Sequence, residues 1–118
     1  MGKKIEYSVY VIELDKKVLK HKKFKDANPN YETTKHCVYV GSTELNPDER
    51  FKQHIDGHYK NGKLKWHSSY AKKYGIRLKP RLYKSKNPII SEDSKKARQV
   101  EAETARRLRN RGYGVWQN

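Results

Sequence analysis

One stretch, Cys37 to His58, constrains the rest of the chain more than any other: CVYVGSTELNPDERFKQHIDGH. Cys37-Val38-Tyr39-Val40 is β-branched and aromatic and stops at Gly41-Ser42, so it reads as a strand closed by a tight turn. A helix start follows within a few residues. Asn46 suits the N-cap, Pro47 suits the first helical position, where its missing N–H costs nothing, and Glu49 stands at the third position, where a capping box needs it. Strand, turn and helix in this order form the unit that the remaining elements serve. On the helix, Phe51 and Ile55 mark the buried face, and Arg50 and His54, four apart, lie side by side along its edge.

At 118 residues, 34% of them hydrophobic, residues 1–118 form one domain with a single, economical core. Lys and Arg total 28 against 13 Asp and Glu, and the resulting charge of +15 makes nucleic acid the leading partner, with a membrane surface as the rival. No apolar run approaches the ~20 residues that span a bilayer. The N-terminus MGKKIEYSVYVIEL lacks a signal-peptide core and cleavage site, so an intracellular, cytoplasmic protein associated with nucleic acid or the nucleoid is expected. The single Cys37 has no internal disulfide partner, and its place in a core strand gives it a packing role.

Ile5 to Leu14 alternates Tyr7, Val9 and Val11 with Ser8, Tyr10 and Ile12, the pattern of a strand covered on both faces. Residues 15–36 carry seven Lys and the turn signal Asn28-Pro29-Asn30, with apolar residues too sparse for a core element. They read as an extended basic insertion, either a solvated loop or a flap that touches a phosphate backbone through Lys20, Lys22, Lys23 and Lys25. Ser68 or Ser69 caps a short second helix ending at Tyr74-Gly75. Ile76 to Tyr83 reads as a third strand, placed at an edge or interrupted because Pro80 lacks a ladder donor. A long helix then runs from Ser91 to about Arg111 and stops at Gly112, and Tyr113 to Trp116 packs back as a short strand or tail.

That last helix holds an anomaly. Ala97, Val100, Thr104, Ala105 and Leu108 define its inward stripe, and Glu101 lies in the middle of it. Glu103 points away, toward Arg106 and Arg107. An inward carboxylate is either paired with a buried cation or lines a polar cleft; helical spacing by itself favours the ion pair.

Val9-Tyr10-Val11 and Tyr39-Val40-Gly41, followed by Arg50, His54 and a late Ala-x-x-x-Glu helix (Ala97, Glu101), resemble the GIY-YIG nuclease superfamily. Ser8-Val9-Tyr10 stands where Gly-Ile-Tyr is usual, and Tyr39-Val40-Gly41 where Tyr-Ile-Gly is usual. The resemblance spans nearly the whole chain and is similar in plan to catalytic domains of homing endonucleases, small restriction enzymes and the incision subunit of bacterial excision repair. It implies an α+β fold with a small, mainly antiparallel three-stranded central sheet flanked by helices. It also implies hydrolysis of DNA phosphodiester bonds with Mg²⁺ or Mn²⁺ held by Glu101. Arg50 would then hold the scissile phosphate, Tyr10 would act as base or orient water with Tyr39 as its partner, and His54 would assist proton transfer. Such a base requires a phenol pKa lowered by the metal and Arg50.

The sequence departs from the family pattern in two places. The segment between the tyrosine motifs is longer, and where an Asn often follows the Glu helix this chain has Tyr113-Gly114-Val115-Trp116, leaving Gln117 or Asn118 as substitutes. Other readings of the same residues stand beside the catalytic one. The tyrosines suit core packing, Arg50 and Glu101 suit each other as a buried pair, and His54 and His58 lack the third ligand of a zinc site and suit solvent.

Binding is a separate matter from cleavage. Lys95, Lys96, Arg98, Arg106, Arg107, Arg109 and Arg111 ring the last helix and, with the Lys-rich insertion, suit phosphate contacts without sequence reading. The partner expected is DNA, with RNA also compatible, bound by a monomer or a homodimer. Two functional classes remain: a metal-dependent endonuclease, and a catalytically silent nucleic-acid-binding module with the same fold.

Overall fold

A computed structural model describes residues 3–44, 46–56, 58–60, 63–65 and 69–117, with the backbone alone at 54–56, 58–60, 63–65 and 69. In chain order the strands are β1 (Ile5–Leu14), β2 (Cys37–Thr43), β3 (His58–Lys60), β4 (Lys63–Lys65), β5 (Gly75–Leu78), β6 (Ile89–Ser91) and β7 (Gly114–Gln117). The helices are α1 (Lys22–Asp26), α2 (Pro47–Asp56), α3 (Ser69–Tyr74) and α4 (Lys95–Asn110). The class is α+β, as expected. The sheet is not the expected three-stranded antiparallel one: it has five strands, ordered β5-β1-β2-β7 with β6 also on β1. It is mixed, because β7 runs parallel to β2. That pairing requires a long crossover between the two strands, part of which is α4, and no local signal in either strand announces it. The hairpin β3–β4 forms a separate two-stranded sheet.

Residues paired across strands share a face, so the register sorts the core. Val9, Val11, Val38, Val40 and Val115 line one face, all fully buried, and each contributes about 1.5–3 kcal/mol by leaving water. Helix α4 covers this side with Ala97, Thr104, Ala105 and Leu108, whose mostly small side chains suit a close approach to the sheet. The other face carries Tyr10, Ile12, Tyr39 and Trp116; Phe24 of α1 stacks on Trp116 and Tyr70 of α3 meets it edge-on. The central strands are therefore covered on both sides, as the apolar content of β1 predicts.

Residues 15–36 are not an extended loop. Lys16–Lys20 forms a 3-10 turn and α1 follows, and Val18 and Phe24 are both fully buried. Two apolar anchors suffice because the lysines around them keep their charged ends in water while the backbone turns inward. The third strand is shorter than the expected Ile76–Tyr83: β5 ends at Leu78 and Pro80 opens a 3-10 turn beyond it, and β5 lies at the edge of the sheet, one of the two placements that Pro80 left open. Helix α4 begins at Lys95, not Ser91, because Ile89–Ser91 pairs with Ile5–Tyr7. Its end follows the expectation: Gly112 takes φ +91°, and the N–H groups of Gly112 and Tyr113 bond the carbonyls of Arg109 and Leu108, a Schellman cap. Among the described residues, no helix is long and apolar enough to cross a membrane.

Candidate active site

The register sets Tyr10 directly across from Gly41. The phenol ring lies over that glycine so closely that a Cβ there would sit 2.6 Å from Tyr10 Cζ, which is why the Tyr-Val-Gly run must end in glycine. Tyr39, two residues back on the same face, places its ring centroid 6.2 Å from that of Tyr10. Both rings are almost wholly buried. Burial pushes both phenols above their ordinary pKa. At Tyr10 a hydrogen bond and the charge of Arg50 pull the other way, whereas the charges of Tyr10 and Glu101 raise Tyr39 further. Tyr10 is thus the more favoured phenolate of the pair, but burial outweighs Arg50, and the lowered pKa expected for a base is not present in the chain by itself.

Helix α2 delivers Arg50. Asn46 Oδ1 accepts the Glu49 N–H at 2.8 Å, and Asn46 Nδ2 donates to Glu49 Oε1 at 3.1 Å, a capping box closed through the side-chain amide instead of the backbone N–H. Phe51 packs against the core and fixes the rotation of the helix, which turns Arg50 toward Tyr10. Arg50 Nη1 also donates to Gln53 Oε1 at 3.0 Å, so the guanidinium is steered from its own helix as well. The side chains of His54 and Ile55 lie outside the described residues, as does that of His58.

Glu101 comes from the opposite layer. It is 7% exposed on the inward face of α4, as its helical spacing predicts, whereas Glu103 faces solvent. Its carboxylate is held by neutral donors: Ser42 Oγ donates to Oε1 at 2.9 Å and Gln117 Nε2 to Oε2 at 3.3 Å. The expected buried ion pair is not what holds it; the ion pairs among the described residues gather on Glu13, with His36, Arg77 and Lys79. Burial raises its pKa, with the Ser42 and Gln117 hydrogen bonds and the charge of Arg98 opposing the rise. Its negative charge in turn raises Tyr10 and Tyr39, so all three acidic groups share one electrostatic environment at the Ser42 end of β2. Gln117 thus stands where the sequence left a substitute open. Ser42 was legible only as part of a turn; its pairing with Val9, which turns it toward α4, was the missing signal.

The basic residues divide into two groups. Lys95 and Arg98 are exposed near the start of α4, and the charge of Arg98 reaches Glu101. Lys20, Lys22, Lys23 and Lys25 are also exposed, but Phe24 anchors their segment against Gly114 and Cys37, five residues down β2 from Ser42, or about 16 Å by strand rise. They are not brought to the tyrosines. The Cys37 thiol is buried, and burial pushes its pKa up.

For a divalent cation the residues fit one mode of binding. Among the described residues no group of three or more His, Cys, Asp and Glu converges, so a single carboxylate, Glu101, oriented by Ser42 and Gln117, would leave the other positions to water and substrate oxygens. That suits Mg²⁺, which keeps several waters, and does not suit an all-protein cage. Comparison of the chain with protein-family models, with curated proteins and with solved structures finds no match.

Proposed function

We propose that this chain is a metal-dependent endonuclease of the GIY-YIG type, hydrolysing phosphodiester bonds of DNA. The observation that carries the reading is the grouping of Tyr10 with Tyr39 and Arg50 on one face of the sheet, with the buried carboxylate of Glu101, held by Ser42 and Gln117 on the other face, near enough for its charge to raise both phenols. A core tyrosine needs no arginine, and a structural carboxylate this buried is ordinarily neutralised by a cation instead of two neutral donors.

In this reading Arg50 holds the scissile phosphate with a planar, permanently charged fork. Tyr10, its own proton first released to solvent, orients the attacking water as the phenolate and takes the water's proton to become the neutral phenol, with Tyr39 beside it. Glu101 holds Mg²⁺ or Mn²⁺, which when bound supplies positive charge to the phosphate and the leaving oxygen. Ser42 and Gln117 fix the carboxylate. A bound cation would oppose the burial that raises Tyr10. His54 assists proton transfer, and Lys95 and Arg98 carry the flanking backbone.

The test is cleavage of supercoiled plasmid and branched oligonucleotides with Mg²⁺ or Mn²⁺ by wild type, Glu101→Ala and Glu103→Ala. Nicking by wild type and Glu103→Ala, lost in a folded, DNA-binding Glu101→Ala, is the expected result. Equal binding by all three with no product from any of them overturns it in favour of a silent binding module.

A further inference from the structure

Away from these residues, a cleft of about 390 Å³ opens between the turn at 28–31 and the end of α4. Arg109, which lines it, lies eight residues beyond Glu101, about 12 Å along the helix. Its half-buried guanidinium is fixed by two neutral acceptors, with Nε donating to Asn28 Oδ1 at 3.2 Å and Nη2 to the Val115 carbonyl at 3.0 Å. Among the described residues no carboxylate pairs with it, so its charge is positioned but not neutralised. Burial lowers its pKa. Arg106, three residues earlier and exposed, lines the same cleft and brings a second guanidinium to it.

The rest of the lining is not that of a bare anion site. Tyr31 and Tyr113 supply an aromatic wall, and Tyr31 is tied down by its hydroxyl, which donates to the Lys35 carbonyl at 2.9 Å. Lys35 Nζ and the Arg111 guanidinium each lie over the Tyr113 ring, 5.8 Å from its centroid, and add positive charge there. Asn30 and Asn110 contribute amides that both donate and accept, the equipment for the edge of a base. Two features oppose a small anion: the cleft sits at the negative end of the α4 dipole, and the Glu32 carboxylate lies against Gly112. A ligand with a flat ring as well as a phosphate gains from the wall what those features cost. The volume lies within the range of small-molecule pockets, roughly 300–1,000 Å³.

We propose that this cleft binds a nucleotide, with its phosphate on Arg106 and Arg109 and its base against Tyr31 and Tyr113. The ligand is either a free mononucleotide or an unpaired nucleotide of a nucleic-acid strand. Cleavage plays no part in the assignment or in its test.

The test is titration of the full chain, followed by amide chemical shifts, with adenosine monophosphate, inorganic phosphate and a four-residue single-stranded oligonucleotide. It compares wild type, Arg106→Ala and Glu101→Gln. Shifts centred on Tyr31, Arg106 and Tyr113 are expected, with inorganic phosphate at least tenfold weaker than the nucleotide. Arg106→Ala, which removes an exposed side chain, should weaken binding about tenfold, the scale of one charge-assisted contact. Glu101→Gln should leave it unchanged. Binding of the mononucleotide identifies a free nucleotide as a sufficient ligand, and binding of the oligonucleotide alone identifies a strand. Equal binding of inorganic phosphate, an unaffected Arg106→Ala, or shifts centred on Ser42 and Glu101 would each overturn the proposal.

Discussion

Gly41→Ala isolates the contact on which the tyrosine pair depends. Gly41 has no left-handed backbone, so alanine is conformationally acceptable there and restricting the unfolded chain would by itself stabilise by about 0.4–1 kcal/mol. The new Cβ, however, meets Tyr10 Cζ at 2.6 Å and Cε1 at 3.1 Å. Carbon–carbon contact is comfortable at about 3.5–4.0 Å, so the ring must retreat by about 1 Å. It has nowhere to go: Tyr10 is 1% exposed and Tyr39 stands beside it. Overpacking of this kind costs about 1–3 kcal/mol, leaving a net loss of about 1–2 kcal/mol and a drop of roughly 4–8 °C in Tm. Urea denaturation of wild type, Gly41→Ala, Tyr10→Ala and the double variant measures it. In the Tyr10→Ala background the Gly41 substitution should become neutral or stabilising, a coupling of about 1 kcal/mol or more. A Gly41→Ala chain within about 0.5 kcal/mol of wild type, or an equal cost in both backgrounds, would refute the reasoning.

Three further substitutions test other parts of the molecule. Glu101→Gln should stabilise the chain in metal-free buffer at neutral pH by about 1 kcal/mol, read as Tm. The folded pKa of Glu101 is raised, so its ionisation costs stability as pH rises from the ordinary carboxylate range through the folded value; the gain should vanish in acid, and a gain that persists there would contradict the burial argument. Phe24→Ala should cost about 3–5 kcal/mol in denaturant unfolding, as for a core aromatic, and a cost below about 1 kcal/mol would return residues 15–36 to the status of a loop. Asn87→Ala should cost about 2–4 kcal/mol, because it strips partners from both the N–H and the carbonyl of fully buried Val9; amide exchange at Val9 should accelerate with it.

Local chemistry was legible where one residue's role depends on its near neighbours. The Asn46 cap, the inward phase of Glu101 against the outward phase of Glu103, and the Gly112 stop all rest on spacings within a few residues, and all appear in the fold. The candidate site was legible as far as its charged and aromatic members. Its neutral members were not: Ser42 and Gln117 gain meaning only when β2 and β7 lie side by side, and that parallel pairing is decided by α4 across a long stretch of chain. The charge of residues 15–36 hid Val18 and Phe24 in the same way, since lysines bracket a buried anchor as readily as they fill a loop.

Two asparagines account for much of what remained hidden. Asn28 and Asn87 each precede a proline and read as turn markers, yet each uses its side-chain amide as a fragment of strand. Asn87 donates to the Val9 carbonyl and accepts from the Val9 N–H, both at 2.8 Å, continuing the pairing of Ile89 with Tyr7 two residues further along β1. The Lys79 N–H bonds the Val11 carbonyl at 2.8 Å, where β5 takes over, so the strand passes from β6 to β5 without exposing Val9 to an unsatisfied bond. Asn28 does the same for β7: its Oδ1 accepts the Val115 N–H at 2.8 Å and its Nδ2 donates to the Val115 carbonyl at 3.0 Å. An amide side chain carries one donor group and one acceptor, which is what a missing peptide unit would have supplied. Each asparagine therefore fixes a strand of the candidate site from outside it. Val9 adjoins Tyr10, and Val115 is two residues from Gln117, so the aim of the phenol and of the amide on Glu101 is set by bonds to residues that touch neither.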